Sequence, residues 1–287
     1  MQTMRGTVNP ARGQFEHEIE VAIRLAREAG RLIMALYGTG VAVKQKGESG
    51  PMTEADERAH EVIVEGLQRA FPHDAIISEE GSPVIGSHAG ARTWYVDPLD
   101  GTQEFIARNG EFSVLIGLAI AGRATVGVVL RPVDGALFAG IADQEAWSGD
   151  RGMPGRLAVS RQTELQKLRL VVSRSHRHPL TDAMRARLGI TEELRCGSVG
   201  LKIGLLISGQ ADLYLDASGN TSAWDVCGPE AILRGAGGRL TDLTGQPVLY
   251  ESRADLHNKR GLIASNGVCH DQVVAAIGSL AGETNRN

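Results

Sequence analysis

Cysteine is scarce. Cys196, Cys227 and Cys269 are the only three in the chain, and none forms a C-x-x-C pair. An odd number of scattered thiols excludes a disulfide scaffold and gives no zinc-ribbon spacing, so buried reduced thiols are a simpler reading than a redox or zinc role. Aromatic residues make up only 4%. No apolar stretch approaches the ~20 residues of a membrane span, and the longest, "SVLIGLAIAG", reads as a buried strand. Positive charge is not in excess, since 30 Lys and Arg stand against 34 Asp and Glu. A net charge of −4 leaves no electrostatic footprint for a nucleic-acid duplex or an anionic membrane. The start, "MQTMRGTVNPARGQ", is polar and lacks a secretory apolar core, so a cytoplasmic location is expected. Internal repeats and low-complexity linkers are also missing.

Glycine, by contrast, is plentiful at 36 residues, which suits many tight strand–helix turns. Periodicity supports that picture. Ile19, Ile23, Ala26, Ala29, Ile33 and Leu36 are spaced for the buried face of a helix from Gln14 to Tyr37, stopped by Gly38 and Gly40. A second helix is expected from Thr53 to Phe71, closed by Pro72. Strands follow in "AIIS", "TWYV", "FSVLIGLAI", "ATVGVVLRP", "GALFAGI" and "EAWSG", the last four spaced for an antiparallel meander. After Leu168 the pattern alternates: "LRLVVS", a helix near Leu180 to Leu188, the apolar helix "GLKIGLLISG", "ADLYLD", the helix "VCGPEAILRGAG", "RLTDL", "GLIAS" and a last helix near Cys269. Such alternation implies layered α/β structure. The polar, Gly-rich stretch from Ser148 to Arg156 is the expected boundary between two halves, residues 1–152 and 153–287, with a site in the cleft between them.

Chemistry concentrates in "WYVDPLDGT". Asp97 and Asp100 stand three residues apart at the end of an apolar strand, followed by Gly101 and Thr102. One reading is a plain turn, with Asp and Gly where turns need them. The other is a cation site: buried carboxylates are costly unless neutralised, and oxygen-only ligands select magnesium, manganese or calcium over zinc. A helix opening at Gly101–Thr102 would offer free N–H groups to a phosphate beside the cation. Glu79 and Glu80 occupy another strand end. Asp56 in "TEAD" fits either a cluster acid or an acid in the first turn behind a Thr N-cap, and Asp225 likewise could be only a cap.

Together these segments resemble the inositol monophosphatase family of metal-dependent phosphatases. The likeness runs from the first helix to "GLIAS" and rests on "GPMTEAD", "SEEG", "DPLDGTQEF" and "WDVCGPEAILRGAGGRLTDLTG", in the family's order and spacing. Within the family, "DPLDGTQEFIARNGEFSVLIGLAI", "VVSRSH" and "GSVGLKIG" are most similar to 3′(2′),5′-bisphosphate nucleotidases of the CysQ type. The chain departs from the pattern with Gly50-Pro51-Met52-Thr53 for the usual Ser-Pro-Val-Thr, and with Glu48 where Asp is common.

The resemblance implies an α/β (α+β) fold layered α-β-α-β-α. It implies a first magnesium on Glu79, Asp97 and the Leu99 carbonyl, and a second on Asp97, Asp100 and Asp225. Asp56 and Thr102 would orient and deprotonate the attacking water, with Asp56 also facing a third, weaker metal. Gly101 and Thr102 would hold the phosphate, and His176, Ser198 and Lys202 would contact a nucleotide. The expected reaction is hydrolysis of adenosine 3′,5′-bisphosphate to AMP and phosphate, lithium-sensitive and tied to sulfate activation and transfer. Inositol monophosphate or another sugar phosphate is the alternative substrate, and a phospho-ligand sensor the non-enzymatic one. A C-x₅-R cysteine loop and a DxDx[TV] motif are both missing, so no covalent phosphoenzyme is expected. Monomer and homodimer, and peripheral contact with the inner membrane, stay open at this point.

Overall fold

The computed structural model describes residues 13–40, 42–45, 51–86, 91–149, 155–251 and 256–284. Residues 1–12, Glu48, Gly50 and the middle of the expected boundary, 150–154, therefore lie outside the described residues. Among the described residues no helix is long and apolar enough to cross a membrane.

The chain opens with α1 (Glu16–Leu36), whose Ile19, Ala22, Ala26, Ala29 and Ile33 repeat at helical spacing and are fully buried. A short antiparallel ribbon, β1 (Val43–Gln45) and β2 (Pro51–Thr53), leads into α2 (Glu54–Ala70). Then come β3 (Ala75–Ser78), β4 (Arg92–Asp100), the one-turn α3 (Thr102–Ile106), β5 (Ser113–Ile120), β6 (Arg123–Arg131), β7 (Ala136–Ile141), β8 (Glu145–Ser148) and β9 (Gly155–Arg156). These strands form one seven-stranded sheet in sequence order, β3–β4 parallel and the rest antiparallel. The expected meander is present.

The rest of the chain builds a second sheet. Its elements are β10 (Leu170–Ser173), α4 (Pro179–Leu188), β11 (Glu193–Cys196), α5 (Val199–Ile207), β12 (Leu213–Asp216), α6 (Ala223–Gly235), β13 (Arg239–Thr241), β14 (Leu262–Ser265) and α7 (His270–Thr284). Strand order is β11-β10-β12-β14-β13, parallel about β10 and antiparallel about β14.

Burial divides these elements into five layers. Strand β5 sends Val114, Ile116 and Leu118 into a core with α1 and α2, and Leu115 and Ala119 into a second core with α5, α6 and the far sheet. A third core lies between the five-stranded sheet, α4 and α7. The order α1/α2, sheet, α5/α6, sheet, α4/α7 is the α-β-α-β-α sandwich expected from the family resemblance.

One contact fixes the middle layer. Gly117 and Gly127 are cross-strand partners on β5 and β6, and Gly228 of α6 lies on them. A Cβ added at Gly117 would stand 2.3 Å from the Gly228 nitrogen, and one at Gly127 would stand 2.0 Å from its carbonyl oxygen. Only backbone against backbone allows α6 this close, and the start of α6 carries Asp225.

Candidate active site

In a regular strand, residues three apart point to opposite faces. Asp97 and Asp100 do not. Asp97 is opposite Leu115 and Asp100 is opposite Ser113, so three steps along β4 match two along β5. The extra residue is a β-bulge around Pro98–Leu99, and it turns both carboxylates to the face where Leu115 packs toward α5 and α6. Pro98 has no N–H to lose there. The Leu99 N–H donates to Asp97 Oδ1 at 3.0 Å, a local bond that holds the bend.

Two further aspartates arrive on helix starts. Thr53 caps α2, its N–H and hydroxyl donating to Asp56 Oδ2 at 2.8 and 2.6 Å. Ser222 caps α6, its N–H donating to Asp225 Oδ2 at 2.6 Å. Each aspartate is therefore the third helical residue of a capping box rather than the cap. The capping bonds use only one oxygen of Asp56; the other, Oδ1, accepts from Thr102 Oγ1 at 3.1 Å. The same hydroxyl also lies 3.2 Å from the Leu99 carbonyl. Thr102 is the first residue of α3, and Gly101 is its cap, with φ of 96° and a would-be Cβ 3.0 Å from the Glu111 carbonyl. That position requires glycine.

The acids repel one another. Burial and the charges of Glu79, Asp100 and Asp225 push Asp97 well above the usual carboxylate range. Burial, then Asp100, pushes Asp225 up to about 7. Burial also raises Asp100, against the pull of the Lys202 charge and of donors from Ser198 and the Gly200 N–H. Asp56 is raised by burial against its Thr53 and Thr102 bonds. Glu79, half-buried, follows β3, and its N–H donates to the Val96 carbonyl at 3.1 Å, beside Asp97.

A hard divalent cation suits this donor set, which is all oxygen and short of positive charge. Among the described residues no three Asp, Glu, His or Cys side chains meet closely enough to form a finished cage. Donor chemistry and mutual repulsion, rather than a closed cage, are what fit a cation here. A cavity of about 290 Å³ beside the start of α6, lined in part by Tyr95, Ala223, Tyr250 and His257, contains none of Asp56, Glu79, Asp97, Asp100 and Asp225. Chemistry, not cavity size, locates the site.

Of the three expected nucleotide contacts, two are brought to the carboxylates. Ser198 caps α5 and donates to Asp100 Oδ2 at 2.5 Å, so Ser113 Oγ, 2.7 Å away, donates to Ser198 in turn. Lys202 is only 3% exposed; its ammonium donates to the Gly197 carbonyl at 2.7 Å and lies 5.3 Å from the Tyr214 ring centre. It is turned inward rather than toward solvent. His176 is exposed, with Nε2 3.3 Å from Gln103 Nε2 on α3. Sequence reasoning missed Ser113, and it missed a clasp in which Arg174 grips both Glu111 oxygens at 2.6 Å while the Gly197 N–H donates to Glu111 at 2.7 Å. These partners are 63 to 86 residues apart, and no local pattern announces them.

Comparison with known proteins gives the family. The sequence profile of the inositol monophosphatase family matches residues 15–280. The 3′(2′),5′-bisphosphate nucleotidase CysQ of Escherichia coli (strain K12) is 37% identical over 247 residues, covering 84% of this chain and 96% of that protein. CysQ from Bacteroides thetaiotaomicron, a solved bacterial member of the family, is similar at a TM-score of 0.71 and 30% identity, over 88% of this chain and 98% of that one. The extragenic suppressor protein SuhB from Bartonella henselae is similar at a TM-score of 0.79 and 26% identity, over 91% and 98%. With the profile spanning nearly the whole chain and the acids gathered at the end of β4, the chain belongs to the inositol monophosphatase family of phosphatases.

Proposed function

We propose that this phosphatase hydrolyses the 3′-phosphate of adenosine 3′,5′-bisphosphate to give AMP and phosphate, with magnesium held by Glu79, Asp97, the Leu99 carbonyl, Asp100 and Asp225. The observation that carries the metal-dependent chemistry is the placing of Asp97 and Asp100 on one buried face by the β4 bulge, with Asp225 near enough to repel both. The nucleotide is supported by relatives that bear this activity in their names.

Bound there, magnesium would acidify the attacking water and neutralise charge on the phosphoryl and leaving oxygens. Thr102 Oγ1 would orient that water and take a proton from it while giving its own proton to Asp56 Oδ1, 3.1 Å away. The carboxylate ends with the proton, and the water becomes the nucleophile. The capping bonds from Thr53 hold the Asp56 carboxylate in place for this role. Gly101 lets the chain turn so that the first amides of α3 face the phosphate. Ser198 and the Gly200 N–H keep Asp100 oriented, and His176 stands on the exposed side, where a nucleotide would enter. Residues 1–152, with most of the carboxylates, and 153–287, with Asp225 and the substrate side, form two units in the same proposal.

A phosphate-release panel tests the reading. Adenosine 3′,5′-bisphosphate, its sulfated analogue, inositol monophosphate and fructose bisphosphate would be compared with magnesium, with chelator and with added lithium. Fastest release from the adenosine bisphosphate, lost on chelation and inhibited by lithium, is expected. Faster release from inositol monophosphate would transfer the assignment to that substrate, and tight binding with no release would make the protein a sensor.

A further inference from the structure

His60 lies one helical turn after Asp56 on α2, so both side chains leave the same face of the helix. That face meets the segment just after β3. His60 Nδ1 stands 2.8 Å from Ser78 Oγ, the hydroxyl of the last residue of β3, which is buried. Three residues on, the backbone of Gly81 presses on the same ring: an added Cβ would come within 2.6 Å of His60 Cε1 and 2.7 Å of Nε2. Ser78 and Gly81 bracket Glu79 and Glu80. From the other side the Glu79 N–H is held by the Val96 carbonyl of β4, next to Asp97.

We propose that His60 is a positioning residue for Glu79: its ring clamps the turn at Ser78 and Gly81 and thereby sets where the Glu79 carboxylate stands relative to Asp97. This rests on the reading of Glu79 as a metal ligand. The physical case is one of entropy and direction. A glutamate in a short turn after a strand has three side-chain torsions and a mobile backbone, and freezing it on a cation costs affinity unless the turn is already fixed. Partners that orient a ligand typically change metal affinity by about 10–100-fold when removed. The same helix that supplies Asp56 to the water side would then also set the first metal's glutamate, so the two are aligned by one rigid element.

Manganese binding, followed by loss of the free-ion electron paramagnetic resonance signal, tests this on the full chain. His60→Ala should weaken manganese binding by about tenfold or more, and Ser78→Ala should weaken it in the same direction. The double variant should bind no worse than His60→Ala, because both remove one interaction. His60→Asn, which keeps a polar group near the Nδ1 position, should recover part of the loss. KM for adenosine 3′,5′-bisphosphate at saturating magnesium should not change, since the clamp touches no substrate. Binding of manganese by His60→Ala and Ser78→Ala within about twofold of the unmodified protein would overturn the proposal. So would losses that merely follow a falling Tm, which is the outcome if His60 only fills space between α2 and β3. If His60→Ala does not fold, Ser78→Ala and His60→Asn decide alone. Failure of the unmodified protein to bind manganese would overturn the metal reading itself, a result distinct from an intact site indifferent to His60.

Discussion

Asp56 and Thr102 show how one pair of side chains combines local and distant duties. The Thr102 hydroxyl does not cap α3, since Gly101 holds that position; it lies between Asp56 Oδ1 and the Leu99 carbonyl. Thr102→Ala should therefore lower kcat by tenfold or more, with little change in Tm. A falling Tm with kcat intact would mean the bond is only structural. Asp100→Asn keeps the shape but removes a charge and one acceptor for the Ser198 hydroxyl and the Gly200 N–H. A folded Asp100→Asn protein should lose about a hundredfold in kcat/KM, and near-normal turnover would rule out a metal role for Asp100. Lys202, which the family resemblance places against a nucleotide, is buried with its ammonium on the Gly197 carbonyl, and its charge opposes the upward shifts of Asp100 and Asp225. Lys202→Met should then reduce kcat/KM alike on the bisphosphate and on a simple phosphate ester, by about tenfold. A loss confined to the bisphosphate would return Lys202 to the nucleotide.

At the scale of elements, the site depends on how closely α6 approaches the large sheet. Gly117, Gly127 and Gly228 remove every side chain from that contact. In Gly127→Ala the new methyl meets the Gly228 carbonyl, a backbone atom that cannot swing aside, so helix and sheet must part. Destabilisation of about 1–3 kcal/mol is expected from such overpacking. Phosphate release should fall further than stability alone explains, because Asp225 moves with α6. Gly278→Ala in α7 is the control: nothing lies within 4 Å of its added Cβ, and helix propensity favours Ala. If both variants melt together with the unmodified protein, the glycine contact does not set the helix position. The Glu111–Arg174–Gly197 clasp works at the same scale, tying the loop before β5 to the end of β10 and the start of α5.

For the whole molecule, two buried groups away from the acids give stability opposite slopes with pH. Glu230 is bonded by the Tyr250 hydroxyl at 2.5 Å, and burial pushes it from 4.5 up to about 7. Its proton is held longer in the folded chain, so this contribution is full below 4.5 and is lost as pH rises through about 7. His270 lies between Thr241 and Ser265 hydroxyls at 2.8 Å, and burial, then Arg239, lowers it from 6.5 to about 4. Here the unfolded chain binds the proton first, so stability is full above 6.5 and falls as pH drops toward 4. In melts at several pH values, Glu230→Gln should improve relative to the unmodified protein between 4.5 and 7, and His270→Asn should improve relative to it from 6.5 down to 4. Differences in Tm that stay constant across these windows would show that neither group titrates on unfolding.

The longer helices and strands were legible in the sequence because amphipathic spacing is local: α1, α2 and the β5–β8 meander follow from which residues are apolar and where glycine breaks the run. The short strands β1, β2, β9 and β11 carry no such pattern and were not read. The family motifs likewise singled out the candidate acids, since a buried carboxylate at a strand end needs a partner wherever the chain folds. Which way those acids point was not legible. A three-residue spacing sends Asp97 and Asp100 to opposite faces unless a bulge intervenes, and that bulge exists only in the pairing of β4 with β5. Burial of Lys202, the Ser113–Ser198–Asp100 chain and the clasp on Glu111 were equally out of reach, because each joins residues far apart in sequence. Local pattern determines the elements; direction and neighbourhood belong to the register of strands and the depth at which a helix packs.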